Sequence, residues 1–173
     1  MKEALWRLAA RIVARPAVRD YLIRRAMRTP YTPITKDDEV YMERYWLFNR
    51  FDTAASKKQR FPWSIQLHKI LIEDRDLHPH DHPWNFRTLI MDGWYDEERV
   101  VSPNSPWRAY GDCVERRLSA GDTASIKFNE FHRVSAVSPG GVWTVFITGP
   151  YQGTWGFLVD GVKVKYREYL DLK

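Results

Sequence analysis

Three histidines stand two residues apart in Leu77-His78-Pro79-His80-Asp81-His82-Pro83-Trp84, and His132 lies roughly fifty positions further on. The only other histidine is His68. An extended backbone turns alternate side chains to one face. His80 and His82 can therefore converge on a single ion if this stretch is extended, with His132 as a third donor. The neutral imidazole is the commonest metal ligand among side chains. The chemistry to which this pattern points is metal binding, and it points there more firmly than to any particular reaction.

The rest of the chain must supply a scaffold for those imidazoles. Its 173 residues suit one domain with a proper core. With 44% hydrophobic and 14% aromatic residues, disorder is a poor reading. The net charge of +5 is unevenly placed: residues 1–30 hold eight basic residues against Glu3 and Asp20, while the remainder is close to neutral. Cys113 is the single cysteine, so no intrachain disulfide can form, which fits a reducing cytoplasm. No apolar run reaches membrane-spanning length.

Leu5, Leu8, Ala9 and Ile12 recur at helical spacing, and Pro16 is well placed to open a second helix carrying Val18, Tyr21, Leu22 and Ala26. These two basic amphipathic helices are expected to pack their apolar stripes on the domain and leave the arginines in water. Contact with a membrane surface or a nucleic acid is the other use of such a segment. A third helix is expected over about 37–49. From Phe61 onward, short β-rich runs alternate with turns: 63–72, 87–95, 114–118, 123–128, 132–137, 142–148, 155–159 and 162–166. Breaks fall at Gly111-Asp112, Gly121-Asp122, 138–141 and Asp160-Gly161, the last a hairpin signal. Such a series predicts a β sandwich or barrel. The division is a basic helical extension over 1–50 and a β-barrel domain over 51–173.

Here the residues reach a known pattern. His80-Asp81-His82, then Gly93, then Gly121 and His132 match the spacing of the two cupin motifs, and the chain resembles the cupin superfamily over about 61–165. That resemblance implies a mainly β fold, a double-stranded β-helix or jelly roll, here with a helical N-terminal extension. It also implies His80, His82 and His132 as metal ligands. Phe86, or Arg87 in the longer spacing variant, stands where the family usually has a glutamate ligand, and neither binds a metal. Lys127 and Asn129 replace a proline and a glycine, and Ala136 replaces an asparagine. Asparagine is the best substitute where a turn needs a left-handed residue.

Three neutral imidazoles leave a divalent ion its full charge, so an anionic substrate is expected beside it. Iron(II) on three facial ligands keeps positions open for substrate and O₂, and all-histidine sites occur among cupin thiol dioxygenases. The leading expectation is a cytoplasmic Fe(II) dioxygenase-like enzyme acting on a small anionic molecule, with Zn, Mn or Ni as other metals. A metal-dependent sugar or nucleotide isomerase or epimerase is the alternative. Another is a non-enzymatic metal- or ligand-binding cupin that contacts nucleic acid, or a modified nucleotide, through residues 1–30. Cupins often dimerise through sheet edges, so a homodimer is expected.

Parity predicts Trp84, Phe86, Thr88 and Ile90 on the cavity side with His82. A register shift at Pro83 would bring Arg87 inward instead, as an anchor for a carboxylate or phosphate. His68 is a candidate fourth ligand or substrate-orienting group, and His78 a rim residue. Asp96-Glu97-Glu98 reads as a solvated turn, and Cys113 as structural.

Overall fold

A computed structural model of the chain describes residues 2–36, 38–50, 61–101 and 113–171. Two helices come first, α1 (Lys2–Val13) and α2 (Pro16–Ala26). Pro16 opens α2, where its missing N–H would have had no intrahelical partner. Eleven strands follow: β1 (Pro30–Lys36), β2 (Glu39–Phe48), β3 (Ser64–Ile70), β4 (Trp84–Asp92), β5 (Trp94–Val100), β6 (Cys113–Ser119), β7 (Thr123–Ile126), β8 (His132–Val137), β9 (Val142–Tyr151), β10 (Gly156–Val159) and β11 (Val162–Lys165). A short helix, α3 (Tyr166–Asp171), closes the described chain.

The strands form an antiparallel six-stranded sheet in the order β1-β2-β3-β9-β4-β7, a three-stranded sheet β6-β5-β8 and the hairpin β10-β11. The last two are joined by the histidine segment itself. His80 exchanges both backbone hydrogen bonds with His132, each 2.9 Å long. On its other side Asp81 N–H donates to the Gly156 carbonyl, and Leu158 N–H donates to that of Pro79. Pro79 lacks a donor and is used only as an acceptor, so proline is tolerated in this short strand-like piece. The six-stranded sheet faces this composite second sheet, which is the jelly-roll arrangement. Between them, Ile70, Ile90 and Val142 pack against Tyr95, Leu118 and Val134.

Gly93 turns the chain from β4 to β5 with φ of +75°, and a Cβ there would meet Ser138 Oγ at 2.5 Å and the Gly141 carbonyl at 2.7 Å. The run expected as one strand over 87–95 is therefore two strands broken at this glycine. Asn129 adopts φ of +64° in the turn before His132, as expected of the residue in the family's glycine position. Asp160 and Gly161 are both left-handed, and they connect β10 to β11 as a two-residue hairpin. The expected break at Gly111-Asp112 lies outside the described residues.

Two expectations are corrected. The stretch over 39–48 is strand β2, not a helix, because it pairs with β1 on one side and β3 on the other. Its Val, Tyr, Trp and Phe content suits a pleated surface, and tertiary pairing decides the state. Helix α2 thus ends at Ala26, and β1 and β2 belong to the large sheet. The buried face of α1 is also rotated from the expected one. Trp6, Ala9, Ala10 and Val13 pack with Leu22, Ile23 and Ala26 of α2 on Leu67, Leu89, Met91 and Val145. Leu5, Leu8 and Ile12 are exposed. Among the described residues no helix is long and apolar enough to cross a membrane.

Candidate metal centre

The strand-like segment around His80 and the start of β8 bring three imidazoles together. Ligand nitrogens of His80, His82 and His132 all lie within 4.8 Å of one another. Nε2 of His82 is 2.9 Å from Nε2 of His132. Burial first, then the neighbouring imidazoles, push His82 well below the usual histidine range, so this ring is neutral and has a lone pair to give. The His80 ring lies 5.0 Å from His82 and 4.9 Å from His132, centroid to centroid.

Carboxylates lie behind two of the three histidines, hydrogen-bonded to His132 and at a longer distance from His80. Glu97 is buried with 1% exposure, and its Oε1 lies 2.9 Å from His132 Nδ1. A carboxylate only accepts, so Nδ1 carries the proton and Nε2 offers its lone pair to the cluster. Burial alone would raise Glu97; the hydrogen bond from His132 and the charges of Arg99 and Arg116 instead hold it at about 2. Arg116 Nε donates to Glu97 Oε2 at 2.7 Å. His80 Nδ1 lies 3.8 Å from Asp74 Oδ2, an oxygen that also accepts from the Val134 N–H at 2.7 Å. Tyr41 donates to the other Asp74 oxygen at 2.5 Å. Asp81, fully buried on the opposite face from the two histidines, accepts from Gly156 N–H at 2.7 Å and Lys163 Nζ at 2.5 Å. It clamps the histidine segment to β10 and β11.

The donor set fits a divalent ion. Two nitrogens 2.9 Å apart have the spacing of adjacent ligands whose bonds of about 2.1 Å meet at a right angle. Three imidazoles on one side of an ion leave its other side open. Phe86, in the family's glutamate position, lies edge-on to His82 at 4.6 Å and packs on Phe146 at 4.6 Å. An aromatic wall replaces an anionic ligand there. Trp155 and Phe157 approach His80 from the other side, at 6.2 and 6.1 Å.

The other candidates are placed elsewhere. His68 is buried in β3, its Nε2 3.0 Å from Gln66 Oε1 and its ring stacked on Phe146 at 4.5 Å. Burial and the Arg44 charge push it down to about 3, and it is not among the converging ligands. Arg87 is turned away from the cluster. Parity held through Pro83: Phe86 and Thr88 face inward, while the Arg87 guanidinium takes both Glu3 oxygens at 3.0 Å and lies 5.0 Å over the Trp6 ring. It anchors α1, so its expected place beside the metal is corrected. His78 contacts Tyr169 of α3 through Nδ1 at 3.1 Å.

Glu97 is the main residue that sequence reasoning missed. The acidic run is a strand, not a turn, and Glu97 lies on the inner side with Tyr95. Alternation counted from Gly93 carried that signal; the charge of three successive acids hid it. Asp74 lies only six residues before His80 but no pattern marked it, and Tyr41 is distant in sequence.

No protein-family model and no curated sequence matches the chain. Solved structures do. An oxalate decarboxylase superposes with a TM-score of 0.53 at 14% identity, over 86% of this chain and 33% of that one. The oxalate decarboxylase of Bacillus subtilis gives 0.51 at 13% identity, over 83% of this chain and 31% of that one. Fe(II)-HppE with an alternative substrate gives 0.49 at 12% identity, over 72% of this chain and 57% of that one. The chain spans a third to little more than half of these proteins. At such identities the likeness carries architecture alone. Facing antiparallel sheets, left-handed residues at Gly93, Gly121 and Asn129, and a His-x-His…His cluster between the sheets agree with it: the chain has the cupin fold, with three imidazoles inside that are placed so that they could hold a metal ion.

Proposed function

We propose that the chain is a metal-dependent enzyme of the Fe(II) dioxygenase type, in which His80, His82 and His132 hold one ion and a small anionic molecule is oxidised with O₂. The observation that supports this reading is the convergence of three imidazoles without a carboxylate among them. When bound, the ion supplies an undiminished positive charge and a template for reactants. The protein's own residues do the rest. Glu97 fixes the tautomer and orientation of His132, while Arg99 and Arg116 keep that carboxylate ionised. Phe86 and Phe146 exclude water from one flank and leave no competing anion. His68, next to Phe146, is the candidate for orienting the substrate's polar end. Cys113 is the one cysteine of the sequence, so no disulfide can form within it, and this suits a cytoplasmic setting.

The test is anaerobic reconstitution with Fe(II), Mn(II) or Zn(II), followed by metal analysis and oxygen-electrode measurements with thiols and carboxylic acids. One Fe(II) per chain and substrate-dependent O₂ uptake are expected. Turnover of sugar phosphates or nucleotide sugars without O₂, with Mn(II) or Zn(II), would instead indicate an isomerase.

A further inference from the structure

We propose that the outer surface of the α1–α2 layer is a docking face for anionic phospholipid membranes, lying flat on the lipid headgroups.

The inner faces of both helices are used up against the large sheet. What remains outside is not the usual charged face of a covering helix. Leu5, Leu8 and Ile12 are 61%, 54% and 40% exposed, and their spacing of three and four places them on one stripe. On α2, Tyr21 is 62% exposed and Met27, just beyond the last turn, 56%. A helix apolar on both faces, with only one face packed, has a second surface to bury.

The charges choose the occupant. Both acidic residues of the segment are already neutralised within the molecule: Glu3 by Arg87, and Asp20 by Arg19, which also takes Asp92. Arg11, Arg15, Arg24, Arg25 and Arg28 are exposed, and among the described residues none of them meets a carboxylate. Exposed leucines beside unpaired arginines are the composition of a helix that lies in a membrane interface, with apolar side chains among the acyl chains and cations at the phosphates. A second copy of this face would set a segment of net charge +6 against its like. A nucleic acid would satisfy the arginines and leave the leucines in water. Anionic lipid satisfies both. The helices cover the outer side of the sheet and the imidazoles lie on its inner side, so docking leaves the metal centre free.

The test is co-sedimentation of the full-length protein with vesicles of phosphatidylcholine alone or mixed equally with phosphatidylglycerol. Binding only to the anionic vesicles is expected, weakening with added sodium chloride. Leu8→Glu should abolish it. Arg24→Gln with Arg25→Gln should weaken it about fivefold per arginine removed. These positions are exposed, and far-ultraviolet circular dichroism checks that the variants fold. Equal binding to both vesicle types, or to neither, overturns the proposal. So does a DNA affinity that survives Leu8→Glu, which would mark a nucleic-acid face, or a dimer in sedimentation that Leu8→Glu dissolves.

Discussion

On β3, β4 and β9 the side chains that point toward the metal centre and those that point toward the helices are of opposite kinds. Ser64, Gln66, His68, Thr88, Thr144 and Thr148 are all buried on the inner face, joined by Phe86 and Phe146. Leu67, Leu89, Met91 and Val145 occupy the outer face, under Trp6, Ala10 and Ala26. In a two-sheet fold the space between sheets is normally the main apolar core. Here that core is confined to one end, around Ile70, Ile90 and Leu118, and the other end is polar and aromatic beside the histidines. The helices provide a second core on the outside. The difference teaches that this chain separates stability from chemistry: apolar packing is moved outward, which frees inner positions for groups that can bind a ligand.

The sharpest way to break that separation is at the ligands. His82→Ala combined with His132→Ala should reduce bound metal from one per chain to none, measured by elemental analysis after anaerobic loading. Circular dichroism should stay unchanged, because the outer core is untouched. Retained metal would place the ion elsewhere. The mirror experiment is Leu67→Ala. Leu67 is fully buried on the outer face, and its truncation should destabilise the fold by about 2–5 kcal/mol in urea. Metal stoichiometry should stay at one per chain under native conditions. If Leu67→Ala also lowers metal binding in folded protein, the two faces are coupled and the separation fails.

The same contrast explains what was legible in the sequence. The histidine spacing, Gly93, Gly121 and the Asp160-Gly161 turn are local patterns; the turn marked a hairpin, and the others carried the resemblance to cupins that implied a jelly roll and three converging imidazoles. The parity of Phe86 with His82 was also readable, since Pro83 did not shift the register. What escaped depends on partners far along the chain. Strand β2 is aromatic-rich with a short helical pattern, and only β1 and β3 beside it make it a strand. Leu5, Leu8 and Ile12 formed the more obvious stripe on α1, yet the small Ala9 and Ala10 let the backbone approach the sheet and turned Trp6 inward. Glu97 looked solvated because nothing in its neighbourhood announces Arg116 or His132.

Glu97 allows a finer test of the inner face. Glu97→Gln keeps the shape of the side chain and removes the charge that holds the His132 proton on Nδ1. Metal affinity should fall about ten- to a hundredfold, read by competition with a chromophoric chelator. An unchanged affinity would mean that Glu97 serves only to satisfy Arg99 and Arg116. Acid should expose the same residue: its pKa is lowered to about 2 when folded, so its contribution to stability is present above the ordinary carboxylate value and lost as pH falls toward 2.

The smallest expected effect concerns how dry the inner face is at His68. Burial, then the Arg44 charge, lowers this histidine to about 3, whereas an unfolded chain titrates near the ordinary value of 6.5. Above that value both states are neutral there, and His68 contributes nothing to the pH dependence. As pH falls below it the unfolded state takes up a proton that the folded state refuses, so stability is lost progressively until the folded pKa is reached. One unit below the ordinary value the loss from this residue should be about 1.4 kcal/mol. Urea denaturation of metal-free protein at neutral pH and one unit below 6.5 measures it, with His68→Gln as the reference. Subtracting the variant cancels titrating groups that do not interact with His68. A difference that does not change with pH would mean that water and a proton reach His68, and the inner face would then be a solvated channel instead of a buried polar lining.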